Sequence, residues 1–328
     1  MPRFEHVLVA GASGFVGRAL LPVLVAAGHR VRAATRNPSK APKLEGVEWV
    51  RCDVEKRSDL DRALEGIDAT FFLVHGMGKG GAQGDYAERE KAGATTFAEA
   101  CAAAAVKQIV YLGGVAPKKD PSQHLASRLR VGEILRGGTV PAIELRAAMI
   151  IGPGSESWRI VRDLALRLPA MLLPKWTESR TRPIAVADVV VALRSALEIE
   201  HPESAWYDIP GPDTVSAREI LERIAALRGR RIPSIQVPLV SPSLSSWWLK
   251  LITGADFTLA RELVLGLEND LLPEDERYWD LVDYRPQYSF DAAASRALEE
   301  EETEISLRGL GGAIEEAAVH AFSPKLEP

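Results

Sequence analysis

Residues 11–17 read Gly-Ala-Ser-Gly-Phe-Val-Gly, directly after the apolar run His6–Ala10 and directly before a helical pattern. Glycines at this spacing restrict what the backbone can do. Gly11 makes a tight turn off a strand, Gly14 lets the backbone approach a pyrophosphate with no Cβ in the way, and Gly17 lets a helix lie close on a sheet. The helix that follows turns its free N–H groups and partial positive charge toward the turn, which suits a pyrophosphate. A glycine-rich turn without a ligand can carry the same letters, so the context decides. Here the motif opens a regular series of alternating strands and helices.

That series continues through the first half of the chain. Strand patterns fall at His6–Ala10, His29–Thr35, Val47–Cys52, Ala69–Val74, Gln108–Leu112 and Ile143–Ile150. Helical patterns fall at Val16–Ala27, Ser58–Leu64, Tyr86–Ala105 and Leu125–Leu135, and Pro22 is expected to cost the first helix a hydrogen bond and bend it. Alternation on this scale predicts an α/β fold, a Rossmann-type doubly wound parallel sheet covered on both faces. From Pro153 the pattern changes to helices, prolines and tryptophans. The expected organisation is a dinucleotide-binding domain over residues 1–155, with 183–210 returning to it. Residues 156–182 and 211–328 then form a smaller, α-rich C-terminal substrate region. Within it Ser216 and Glu219 have capping-box spacing at the head of a helix over Ser216–Leu227. The run Glu299–Glu302 reads as a solvated helix face.

The end of the second strand discriminates between nucleotides. An acidic residue there would accept hydrogen bonds from the adenosine ribose and favour NAD. This chain has Thr35-Arg36-Asn37-Pro38-Ser39-Lys40 instead. The Arg36 guanidinium suits a 2′-phosphate, and Lys40 adds charge, so NADP(H) is the expected cofactor. A solvent-exposed loop arginine would look the same. Asp53 and Val54 follow the third strand, where they would meet the adenine edge, and Asp53 as a helix cap is an equal alternative. Val74 and His75 close the fourth strand, where the chain should pass under the cofactor riboses. The cofactor set read from the sequence is therefore Gly11, Ser13, Gly14, Phe15, Val16, Gly17, Thr35, Arg36, Asp53, Val54, Val74 and His75.

With the stretches GASGFVG, TRNP, CDV and AVADVVVAL on the page, the chain resembles the short-chain dehydrogenase/reductase superfamily. The resemblance is to the atypical, extended branch that includes NmrA-like proteins and other NAD(P)-binding, epimerase-like proteins. It covers most of residues 5–230 and is most specific in the first 75. It implies NADP binding through the glycine loop. It also implies that Met149 and Ile151, before Gly152-Pro153, contact the nicotinamide carboxamide. In that family the active site has a Ser after the fifth strand, and a Tyr and Lys spaced YxxxK on the next helix. This chain departs from the pattern. The resemblance puts Gly114 at the end of the strand that should carry the Ser, His124 at the Tyr position and Arg128 at the Lys position. Tyr111 lies inside a strand and cannot stand in.

Positions i and i+4 share a helix face, so His124 and Arg128 point at one site. Histidine donates protons near neutral pH, while arginine stays charged and can stabilise an oxyanion. The expected activity is NADP(H)-dependent reduction of a carbonyl or conjugated enone or quinone, with His124 as proton donor. The alternative is a catalytically silent NADP(H)-binding regulatory or assembly protein, and a third, weaker reading is an epimerase. Six of the seven tryptophans follow residue 150, and Trp158 and Trp248, with Gly114, are candidate contacts for an apolar small-molecule substrate. Core packing would explain each Trp equally well.

Composition narrows the partners. A formal net charge of −5 argues against nucleic-acid binding. Two separated cysteines, Cys52 and Cys101, exclude a disulfide framework and a cysteine-rich zinc module, and the histidines show no metal-binding spacing. With neither a leader pattern nor an apolar run of membrane-spanning length, a cytoplasmic setting without an integral span is expected, and a homodimer is possible. Trp247–Leu265 leaves peripheral membrane contact open.

Overall fold

The structure is a computed structural model that describes residues 2–75, 83–117, 121–167, 171–200, 203–231, 233–237 and 269–303. Trp248 and the stretch Trp247–Leu265 lie outside the described residues, and of Trp176 only the backbone is described.

Strands β1 (His6–Ala10), β2 (Arg30–Thr35), β3 (Val47–Arg51), β4 (Ala69–Phe72), β5 (Gln108–Gly114) and β6 (Ala142–Ala147) form one sheet. The short strands β7 (Ile150–Ile151), β8 (Met171–Pro174), β9 (Arg180–Thr181) and β10 (Ile184–Ala185) lie outside it, and β11 (Ala205–Asp208) closes it. The sheet has seven strands in the order β11-β6-β5-β4-β1-β2-β3, all of them parallel. The order reverses between β1 and β4, so the crevice at the carboxyl ends of those strands is where a doubly wound sheet takes its ligand.

Helix α1 (Phe15–Ala26) covers one face, joined by α6 (Val186–Ala196). Helices α2 (Arg57–Ala63), α3 (Gln83–Ala103) and α4 (Gln123–Arg136) cover the other. Pro22 does not end α1, which runs unbroken. The expected sixth strand is cut short: β6 stops at Ala147, and Ile150–Ile151 leaves the sheet to pair with β10. A third apolar cluster packs α5 (Glu156–Arg167) on α7 (Ala217–Leu227) and on the helical residues 290–303. α7 begins with the predicted capping box of Ser216 and Glu219. The helix α8 (Arg277–Leu281) sets Tyr278 and Trp279 into the first core, where Trp279 donates to the Pro210 carbonyl at 3.1 Å.

Within the glutamate run Glu299, Glu300 and Glu302 are exposed, as a solvated helix face should be, and Glu301 departs from that reading. Glu301 is only 16% exposed and pairs with Arg162 on α5, and Glu302 pairs with Arg228 at the end of α7. These carboxylates tie the last described helix to its neighbours.

One polar cluster lies where a parallel sheet is normally apolar. Glu144 in β6 is fully buried and accepts from Arg136 Nε at 2.8 Å and Arg146 Nε at 3.0 Å. Glu144 and Arg146 are two residues apart and so share a face. Arg146 in turn stacks on Trp206 of β11 at 4.2 Å. The carboxylate fits because Gly113 and Gly132 flank it, and a Cβ on Gly113 would stand 2.6 Å from Glu144 Oε1. Arg136 belongs to the last turn of α4, so the cluster sets where α4 lies on the sheet. Removing the carboxylate leaves two guanidinium groups without their partner in a desolvated layer. Glu144→Ala is expected to cost about 3–5 kcal/mol, read from the urea midpoint. A cost under about 1 kcal/mol would contradict this reading of the cluster.

Candidate active site

The glycine turn has the geometry its sequence predicts. Gly11 adopts φ +86°, and a Cβ there would lie 2.6 Å from the Leu73 carbonyl oxygen beyond β4. A Cβ on Gly17 would lie 2.8 Å from Ala12 Cα, so no other residue fits this helix-to-turn contact. Gly14 is the N-cap of α1 and offers no side-chain cap, and the first turn of α1 carries no acidic residue. The first-turn amides and the helix dipole are therefore open to an anion. Ser13 and Gly14 are exposed at the lip of the turn, and Thr35 Oγ1 donates to Ser13 Oγ at 3.2 Å, tying the end of β2 to it. The residues present fit a dinucleotide: close backbone approach, uncapped amides, and a position at the reversal of strand order.

The flanking residues divide. Phe15 turns toward Gly152, where a Cβ would stand 3.0 Å from its ring, and Val16 packs on the first core. Arg36 is exposed and makes no hydrogen bond or ion pair with any described residue. Asp53 accepts from Glu55 N at 3.3 Å, and the N-cap of α2 is Lys56, so Asp53 does not cap that helix. Val54 and Val74 pack partly buried on the second core. Met149 packs on the third core, and Ile151 and Trp158 lie inside it. Trp158 has no exposed surface, so it bears on a ligand only through the side chains in front of it.

His75, His124 and Arg128 come together at the carboxyl ends of β4 and β5. Ser122 caps α4 by accepting from Leu125 N, which sets the first turn that carries His124. Arg128, one turn on, donates from Nη2 to the carbonyls of Leu112 at 3.0 Å and Gly113 at 2.8 Å. Its Nε is buried without a hydrogen-bond partner. Gly114 lies beneath it, and a Cβ there would stand 2.7 Å from Leu125 Cδ1 and 3.7 Å from Arg128 Nε. Tyr111 is buried and donates to the Arg128 carbonyl at 3.0 Å, while burial pushes its hydroxyl far above its usual range. Ser127 donates to Glu90 of α3. These contacts hold α4 at its amino end as the Glu144 cluster holds it at its carboxyl end.

Electrostatics fix the protonation of the two imidazoles. Burial, reinforced by the Arg128 cation, pushes His124 down to about 4. Burial, Arg128 and His124 push His75 well below its ordinary value. Both rings are therefore neutral at pH 7 in the free protein. The i, i+4 cation implied part of this effect, and the depth of burial supplies the larger part. The sequence did not join His75 to the pair, because the link runs between strand ends rather than along one helix.

A family model described as NAD(P)H-binding matches residues 11–163. The (4-alkanoyl-5-oxo-2,5-dihydrofuran-3-yl)methyl phosphate reductase of Streptomyces griseus is 31% identical over 68% of this chain and 74% of its own length. The ceramide reductase of Caulobacter vibrioides is 30% identical over 57% of this chain and 59% of its own. A nucleoside-diphosphate-sugar epimerase structure from Staphylococcus aureus superposes with TM-score 0.70 at 15% identity, over 89% of this chain and 99% of that one, which is a likeness of fold. Fold and glycine cradle define a dinucleotide-binding α/β protein. The chain belongs to the short-chain dehydrogenase/reductase superfamily, in its atypical, NmrA-like branch. Its activity class is that of an NAD(P)H-dependent oxidoreductase. Among the described residues no helix is long and apolar enough to cross a membrane.

The depressed imidazoles make stability pH-dependent. With folded values below the unfolded value of about 6.5, the unfolded chain binds more protons as pH falls from there to about 4. Folding stability should fall across that window. A His75→Asn, His124→Asn double variant should lose part of that slope in denaturation series, and an unchanged slope would contradict the assignment.

Proposed function

We propose that the protein is an NADPH-dependent reductase of a carbonyl or conjugated enone on an apolar small molecule, with His124 as proton donor and Arg128 beside it. One observation carries the reading: a neutral imidazole and a fixed guanidinium on one face of α4, one turn apart, beside the strand ends that flank the glycine turn. The names of the two reductase relatives support it, one of them carrying an alkanoyl and an oxo group.

When bound, the nicotinamide supplies a hydride. The balanced reaction is ketone plus NADPH plus a proton giving alcohol plus NADP⁺. At pH 7, a His124 pKa of about 4 leaves only about one imidazole in a thousand protonated. The neutral ring therefore acts first by donating an N–H hydrogen bond to the substrate oxygen. Negative charge developing on that oxygen raises the proton affinity of the neighbouring ring, and the proton required by the product enters from solvent through His124. Arg128 adds a cation whose charge does not depend on pH. Arg36 at the end of β2 is the group for a 2′-phosphate, since it is exposed and unengaged by described residues.

A second reading, a silent NADP(H)-binding regulatory protein, is favoured by Arg128 spending Nη2 on two backbone carbonyls, a structural task. Turnover separates the two readings. On a panel of ketones, enones and quinones, His124→Asn should keep cofactor binding and lose about 100-fold or more in kcat. Unchanged turnover in this variant removes His124 from the chemistry. Arg36→Ala should lower kcat/KM with NADPH by about 10-fold while sparing NADH. An equal loss with both cofactors would contradict the phosphate role.

A further inference from the structure

We propose that Arg51, the last residue of β3, is a second guanidinium for the 2′-phosphate of NADPH, reaching that group from the strand beside the one that leads to Arg36. The proposal rests on the NADPH reading above and adds to it a residue from a different element.

The register of the sheet carries the argument. β2 and β3 run parallel, with Val31 opposite Val47, Ala33 opposite Trp49 and Thr35 opposite Arg51. The pairing holds to the strand ends, where Cys52 N donates to the Thr35 carbonyl at 3.0 Å. Alternate residues of a strand share a face, and partners across the pair point the same way. Val31 and Ala33 lie in the first core, with Val47 and Trp49 packed against it, so all four define one face. Arg51 therefore leaves the sheet on the same face as Thr35. Thr35 Oγ1 donates to Ser13 Oγ at 3.2 Å, so that face meets the lip of the glycine turn. Neighbouring strands stand about 4.8 Å apart, within the span of an arginine side chain.

Charge points the same way. β2 carries two other arginines, and both are paired: Arg30 with Glu5 at 3.1 Å and Arg32 with Glu48 at 3.0 Å. Arg36 and Arg51 differ from these. Both are exposed, and neither makes a hydrogen bond or ion pair with any described residue. The carboxylates next to Arg51 in sequence are engaged elsewhere, Glu48 with Arg32 and Asp53 with the amide of Glu55 at 3.3 Å. Two cations at neighbouring strand ends repel each other, and the uncapped N-terminus of α1 adds to the same positive field. A phosphate compensates all three and can accept a planar fork from each guanidinium. NAD(H) has only a hydroxyl at that carbon and offers the second fork nothing. Arg51 should therefore act on the choice of dinucleotide and not on dinucleotide binding as such.

The test is calorimetric titration of the full chain with NADP⁺ and with NAD⁺ at about 0.15 M salt. The native chain should prefer NADP⁺. Arg51→Ala should weaken NADP⁺ by about 10-fold and leave NAD⁺ within about 2-fold, as expected of a charge-assisted contact to the group that only NADP⁺ carries. Arg51→Lys keeps the charge and loses the fork, and should recover part of the loss. Arg30→Ala removes the same charge at the opposite end of the sheet and should change neither affinity, which separates a contact from a long-range field. A loss shared equally by both dinucleotides, or a loss with neither, overturns the role of Arg51. Arg36→Ala tells that failure from failure of the cofactor reading. If Arg36→Ala selectively weakens NADP⁺ and Arg51→Ala does not, the NADPH reading stands and the second guanidinium falls. If the native chain binds NAD⁺ as tightly as NADP⁺, both fall.

Discussion

The buried carboxylate of Glu144 is the interaction on which the arrangement of the site depends. It stands in β6, next to the edge strand β11, bonded to Arg146 from its own strand and to Arg136 from the last turn of α4. Burying it is possible only because Gly113 and Gly132 carry no side chains. Paired in this way the charge is tolerated, and breaking the pair would be costly. The effect is positional. With its carboxyl end fixed on Glu144 and its amino end fixed through Ser127, Tyr111 and the Arg128 guanidinium, α4 has one register on the sheet. That register brings His124 and Arg128 to the strand ends.

The second constraint is the close approach at the glycine turn. The positive φ of Gly11 and the contacts a Cβ would make at Gly11 and Gly17 allow only glycine there. The resulting helix N-terminus has no side-chain cap of its own, which leaves its amides for a ligand. Local geometry thus turns a sequence motif into a binding surface, and the parallel sheet puts that surface at the reversal of strand order, where the chain leaves β4 toward His75.

The layered fold was legible in the sequence because its signals are local. Strand runs, glycine stops and the capping box of Ser216 each need only a few neighbouring residues, and their ends fall within a few positions of the structure. The pair His124 and Arg128 was legible through the resemblance, whose YxxxK register picks them out, and helical spacing then puts them on one face. Three features were not legible. His75 joins the site through the neighbouring ends of β4 and β5, a contact distant in sequence. The pairing of Glu144 and Arg146 depends on Gly132 and Arg136 of another element, which no strand pattern reveals. In the Glu299–Glu302 run, exposed as read at three of its four positions, the burial of Glu301 was hidden because its partner Arg162 is far away in the chain. In each case, pairing between distant elements overrode the local pattern.

The most direct test of the account is whether hydride leaves the cofactor for a substrate held at this site. NADPH carrying deuterium at the transferable C4 position, incubated with the protein and a panel of alkyl ketones and enones, should yield a reduced product containing one deuterium by mass spectrometry. Tight binding of the labelled cofactor with no deuterium in any product would contradict it and favour a protein that senses NADP(H) without turning it over.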